Sequence, residues 1–242
     1  MNPSTTSTPR PVPSAARHAL AGVGVLVTGL LFGVVTLFLP AVLPFPPFRD
    51  IGGSSALWCA VTLGVGAALA RFRTGFVLPA GALFLVASVV GYYGFVVAVF
   101  PGPTTLADVD RWLLPAWAWL VAAGLAGPIL ALTGTFLVRD VPRWLRLGAL
   151  GLLGAVFVAE SLRVLVDEVT LALSPVPMPP DDGSRLWWYA DQAVQAVAGL
   201  LLTVLASRRK ADRLPALGVV LLMAVVWSAG IDLVWDLLMP PT

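Results

Sequence analysis

Charge is scarce in this sequence, and three reactive residue types are nearly absent from it. Of its 242 residues, 12% are charged and 58% are hydrophobic, and the mean hydropathy is +0.90. A soluble domain carries roughly 25% charged residues. Half that amount cannot cover a surface facing water, so lipid must be the solvent for much of the chain. The single cysteine, Cys59, lies inside an apolar run, which excludes an intrachain disulfide. The single histidine, His18, precedes the first apolar run. That excludes H-E-x-x-H, a Ser–His pair and a Cys/His zinc set in the membrane core. The single lysine, Lys210, falls between two apolar runs, so the last helix has no amine for a retinal Schiff base. No G-x-x-x-x-G-K-[ST] occurs, which argues against nucleotide-driven transport by this chain alone. Nothing calls for a cofactor or a metal.

What is present is a series of long apolar runs. They span residues 19–39, 54–70, 76–100, 112–138, 147–166, 187–206 and 216–238. Each can reach about 20 residues, enough for a ~30 Å hydrocarbon core at ~1.5 Å per residue. Lipid offers no partner to an unpaired backbone group, so spans of this length are helices. The expected fold is an all-α polytopic bundle of about seven transmembrane helices. Residues 1–18, rich in Pro, Ser and Thr, form the expected disordered cytoplasmic tail, and 19–242 form a single membrane domain. The first run is longer than a signal-peptide core and is followed by no A-x-A pattern, so it reads as a retained span. Pro40, Pro101, Pro103, Pro142, Pro175 and Pro215 mark boundaries. Pro128 should kink the fourth helix, where Gly124, Gly127 and Gly134 admit a close neighbour.

The basic residues orient the bundle. Arg10 and Arg17, Arg71 and Arg73, Arg139, Arg143 and Arg146, and Arg208, Arg209, Lys210 and Arg213 all fall at one end. The opposite loops hold Arg49, Arg111 and Arg185. Seven helices with the N-terminus in the cytoplasm and the C-terminus outside satisfy the positive-inside rule at every loop. The net charge of +2 therefore reflects loop arginines and gives no basic stripe for nucleic acid. The expected partner is a bilayer, with a small molecule or lipid as ligand. Oligomeric state is not legible.

The fifth run ends in "VFVAESLRVLVDEVT", which carries charge into its outer part. Glu160, Arg163 and Asp167 are spaced i, i+3, i+7 and share one face, so Arg163 can bond Glu160 below it and Asp167 above it. The sixth run contributes Asp191 and Gln195, with Gln192 beside them; the seventh contributes Ser228, Asp232 and Asp236; the third contributes Tyr92 and Tyr93. Every acid within a span lies at the midplane or in the outer half. That asymmetry suggests a polar cavity open to the outside. An intramembrane charge costs about 2.5–3.5 kcal/mol on insertion scales and faces the bundle interior. The competing reading makes Glu160–Arg163 an ion pair that staples the bundle, with the other acids wet at the interface. "DDGSR" at 181 is similar to an aspartate-rich diphosphate motif but lacks its later aspartate and reads as a polar turn, and "DLVWD" at 232 has only the end spacing of a metal motif, so neither is taken as a site.

"VVGYYGF" (89–95), "WLVAAGLAGPILALTG" (119–134) and "AVFVAESL" (155–162) together resemble a family of small multipass membrane proteins from high-GC actinobacteria, a family with no assigned activity. The resemblance spans residues 57–165. It implies a bacterial plasma membrane and places Tyr92, Tyr93 and Glu160 in the family pattern.

Three functions fit. A transporter or permease-like module would use Glu160 and Arg163 as a coupled site and needs a path to both sides. A membrane enzyme on a lipid or isoprenoid, protonating an olefin from Glu160 and Asp232 as small membrane terpene cyclases do, needs a closed, aromatic-lined pocket. A non-catalytic membrane partner needs an exposed small-residue face such as Gly124/Gly127. The topology carries its own test. A cytoplasm-dependent reporter fused after Arg209 should be active and one fused after Thr242 inactive; the reverse at either position contradicts the orientation.

Overall fold

The computed structural model describes residues 15–43, 53–99, 106–173 and 184–238, those at 106–115, 172, 184–185 and 231–238 by their backbone alone. Seven helices account for nearly all of them: α1 (Ala15–Val42), α2 (Ser55–Ala68), α3 (Thr74–Val99), α4 (Leu106–Phe136), α5 (Arg143–Ala172), α6 (Ser184–Ala206) and α7 (Lys210–Leu238). Six of these are long and apolar enough to cross a membrane, which makes the chain a multipass membrane bundle in contact with lipid. Most helices begin several residues ahead of their apolar run. α1 starts at Ala15, so residues 15–18 are helical; residues 1–14 of the expected tail lie outside the described residues.

α2 is the exception. It has 14 residues, or about 21 Å at ~1.5 Å per residue. That is two-thirds of a ~30 Å core. Its C-terminus is held at the arginine-rich end of the bundle. Arg139, just beyond α4, donates to the Ala70 carbonyl at 2.9 Å, to the Phe72 carbonyl, and to Thr74 Oγ1 at 3.3 Å. With that end anchored, the α2 N-terminus stops inside the bundle.

The helices pack in two groups. α1 packs on α3, α3 on α4 and α4 on α2; α5 carries α6 and α7 and also touches α2. Glycine sets the closeness within the first group. A Cβ on Gly66 would lie 2.0 Å from the Ala131 carbonyl oxygen, and one on Gly134 would lie 2.0 Å from that of Leu63. The α2 and α4 backbones therefore touch directly, as small residues permit in lipid. Gly127 meets Gly81 of α3 in the same way, whereas Gly124, also expected to admit a neighbour, has nothing near it. Gly127 is therefore covered and offers no exposed docking face. α4 stays helical through Pro128. An apolar core of Cys59, Leu63, Leu85, Val89, Leu130, Val156 and Phe157 fills the space where α2, α3, α4 and α5 meet.

At the arginine-rich end, Asp212 is 3% exposed. It accepts from Arg143 at 2.9 Å and from Arg146 at 3.3 Å, tying α7 to α5. Pro40 and Pro215, expected as boundaries, lie inside α1 and α7. Pro215 has no N–H for the Ala211 carbonyl four residues back. Arg143 Nη2 supplies a donor to that carbonyl at 3.2 Å, so the helix passes the proline without leaving it unpaired. The α2–α4 contact gives a paired prediction. Gly66→Ala should cost about 1–3 kcal/mol by overpacking. Gly64→Ala, on the same helix with nothing within 4 Å, should be neutral or stabilising. Thermal unfolding in detergent reads both, and equal behaviour of the two contradicts the packing described.

Candidate functional site

A cavity of about 500 Å³ lies in the acid-rich half of the bundle. Among the described residues, four helices and one short turn supply its wall. α1 gives Thr36, Leu37 and Pro40, α3 gives Tyr92, α5 gives Glu160, Arg163, Val164 and Asp167, and α6 gives Asp191, Gln192 and Gln195. Gly53 and Ser54, ahead of α2, close it. The shortness of α2 explains the position. Where the helix stops, the space above its first turn is left to side chains from α1, α5 and α6.

Glu160 sits at the bottom. The first N–H groups of any helix lack intrahelical acceptors. Inside a membrane they must be met by protein groups or by water in a cavity, since lipid supplies no acceptor. Ser54 occupies the cap position of α2 but makes no capping bond with its own hydroxyl. Glu160 of α5 does the capping from outside. Its Oε1 accepts from the Ser55 backbone N–H at 3.0 Å and from Ser55 Oγ at 3.2 Å. Its Oε2 accepts from Ser54 Oγ. A carboxylate at this place also faces the positive end of the α2 dipole. The expected partner was Arg163. Both oxygens of Glu160 are instead taken by the two serines, because α5 presents Glu160 toward the start of α2.

Ser54 continues the network into α6. Its Oγ lies 3.0 Å from Gln195 Oε1, and Gln195 Nε2 donates to Asp191 Oδ2 at 2.8 Å. The i, i+4 spacing of Asp191 and Gln195 puts them on one face of α6, and that face is buried: Asp191 is 4% and Gln195 3% exposed. Gln192 Nε2 reaches Asp191 Oδ2 at 3.4 Å, while the Gln192 carbonyl accepts from Ser161 Oγ at 2.7 Å. Ser161 thereby fixes the register of α5 against α6 beside the network.

Six of the ten residues singled out from sequence line this one cavity: Glu160, Arg163, Asp167, Asp191, Gln195 and Tyr92. Asp167 is exposed and marks the mouth. Tyr93 turns to the other side of α3, against the apolar core, with its ring 5.2 Å from that of Tyr92. Ser228 is half-buried on α7 and is not part of the wall. The side chains of Asp232 and Asp236 lie outside the described residues. The sequence analysis missed Ser54 and Ser55. Their signal was "GGSS" opening an apolar run, the pattern of a helix start with a serine cap. Among the described residues no group of three or more His, Cys, Asp and Glu side chains is placed to hold a metal ion.

Among the described residues the wall can therefore offer both signs of charge to a ligand, through three carboxyl groups and one guanidinium, with amide and hydroxyl groups beside them. Over residues 12–238 the sequence matches a family of unknown function, DUF6518. No curated protein and no solved structure matches it.

Proposed function

The chain belongs to the DUF6518 family, a membership that carries no activity with it, and we propose from the cavity that it is a permease-like membrane protein binding a small amine-bearing solute. The observation that carries the proposal is the composition of the wall. Glu160, Arg163 and Asp167 of α5 and Asp191 of α6 line a space of about 500 Å³, inside the range of ordinary small-molecule sites. Among the described lining residues acid exceeds base, so a cationic group is the complementary ligand. Arg163 adds a place for a carboxylate on the same solute, which makes a zwitterionic amine the best fit. Gln192, Gln195 and Tyr92 supply polar contacts at the same level.

The setting we infer is a bacterial plasma membrane, with the arginine-rich end cytoplasmic and the cavity open to the outside. A helix that ends within the membrane with its first turn facing a polar cavity is also how many transporters build their binding sites. The isoprenoid-enzyme alternative is less well supported. It asks for an aromatic-lined pocket, and Tyr92 is the one aromatic side chain among the described lining residues. The partner alternative keeps only part of its glycine face: Gly127 is packed against α3, while Gly124 has nothing within 4 Å.

The test is a thermal-unfolding screen of the purified chain against amino acids, simple amines and simple carboxylates at millimolar concentration. A ligand at a hundred times its Kd stabilises by about 2.7 kcal/mol. Amines and zwitterions should raise the melting temperature of the wild type, and Asp191→Asn and Arg163→Gln should reduce the effect, the second only for zwitterions. Stabilisation by simple carboxylates alone, or by nothing in the panel, overturns the proposal.

A further inference from the structure

We propose that Glu160 and Asp191 hold one proton in common, through Ser54 and Gln195. The argument is a count of hydrogens along the chain of contacts Glu160 Oε2, Ser54 Oγ, Gln195 and Asp191 Oδ2. Ser54 has one hydroxyl hydrogen, and an amide has its donors on one side only. Take both acids as ionised. With Gln195 Nε2 toward Asp191, Ser54 has two oxygens to serve and one hydrogen to serve them with. Turning the Gln195 amide over moves the fault without removing it. Nε2 then donates to Ser54 and Ser54 donates to Glu160, but Gln195 Oε1 faces a carboxylate oxygen of Asp191. In either arrangement one oxygen–oxygen contact has no hydrogen. Ser54 is 5%, Gln195 3% and Asp191 4% exposed, so the fault sits where an unmade hydrogen bond is costly.

One added proton removes it, in two ways. Placed on Glu160 Oε2, it points to Ser54 Oγ, the Ser54 hydrogen points to Gln195 Oε1, and Gln195 Nε2 donates to Asp191. Placed on Asp191 Oδ2, it points to Gln195 Oε1, and the whole chain runs the other way to an ionised Glu160. Glu160 Oε1 accepts from Ser55 in both. The proton therefore belongs to the pair, and its position sets the direction of every bond between them. Among the described residues, the charged and titratable groups around the chain include Arg163 and Asp167 of α5, Cys59 of α2 and Tyr92 of α3, and Arg163 and Asp191 make further interactions. On α7, Asp232 and Asp236 have side chains outside the described residues.

The experiment is infrared spectroscopy of the full chain in lipid at pH 7, in light and heavy water, with no solute present. It is therefore independent of the solute proposed above. The wild type should show the C=O stretch of a protonated carboxylic acid, displaced in heavy water. Glu160→Gln and Asp191→Asn each supply the missing donor from an amide. In each variant the chain is complete without the proton, and the band should vanish while the melting temperature holds. Ser54→Ala cuts the chain and should abolish the band as well, which keeps the test open if one of the other variants fails to fold. Absence of the band from the wild type overturns the proposal, and so does its survival in both amide variants or in Ser54→Ala. Loss in only one amide variant assigns the proton to that acid alone and overturns the sharing.

Discussion

The capping of α2 by Glu160 is the interaction on which the rest of the site depends. A 14-residue helix anchored at one face cannot reach the other. Its first N–H groups must find an acceptor inside the bundle, from the protein or from water in the cavity. α5 delivers that acceptor. Once Glu160 is committed to Ser54 and Ser55, α5 is fixed in rotation. Arg163 and Asp167 on the same face then point into the space above α2. The cavity is thus a consequence of a short helix and of the side chain that terminates it.

Holding α2 in that position takes both of its ends and one of its sides. Arg139 satisfies the carbonyls beyond its C-terminus, in the region where basic side chains favourably meet the negative helix end. Gly66 and Gly134 let α2 and α4 approach to backbone contact along its length. Lipid supplies no hydrophobic drive between helices, so close packing of this kind supports the association. The second group of helices is joined more by polar contacts: Arg143 and Arg146 on Asp212 at one end, Ser161 on the Gln192 carbonyl near the other. Both groups converge on the acid-rich half, where α2 and α5 meet.

Much of this was legible in the amino-acid sequence, because lipid makes two demands on it. Long apolar runs located the helices. The confinement of acids to one half of the spans, with i, i+3, i+7 and i, i+4 spacings, singled out Glu160, Arg163, Asp167, Asp191 and Gln195, all of which line the cavity. What was hidden depended on contacts between distant parts of the chain. Glu160 and Ser54 are 106 positions apart, and Ser54 and Gln195 are 141 apart. No local spacing announces such pairs, so Arg163, the nearest base on the same face, was the natural but wrong choice of partner. The true length of α2 was hidden too. Its apolar run extends to residue 70, but the helix ends at Ala68, and a difference of a few residues decides whether a helix spans.

The most direct measurement is hydrogen exchange at the start of α2, read by mass spectrometry on the chain in lipid for the wild type, Glu160→Ala and Glu160→Gln. Losing the acceptor of a buried amide costs about 1–3 kcal/mol, equivalent to roughly 5- to 150-fold faster exchange through local opening. Glu160→Ala should show that acceleration over residues 54–58, with the remainder of α2 still protected. Glu160→Gln, which keeps an oxygen for the Ser55 N–H, should exchange like the wild type. Full protection of residues 54–58 in Glu160→Ala would contradict the account, because α2 would then begin without help from α5.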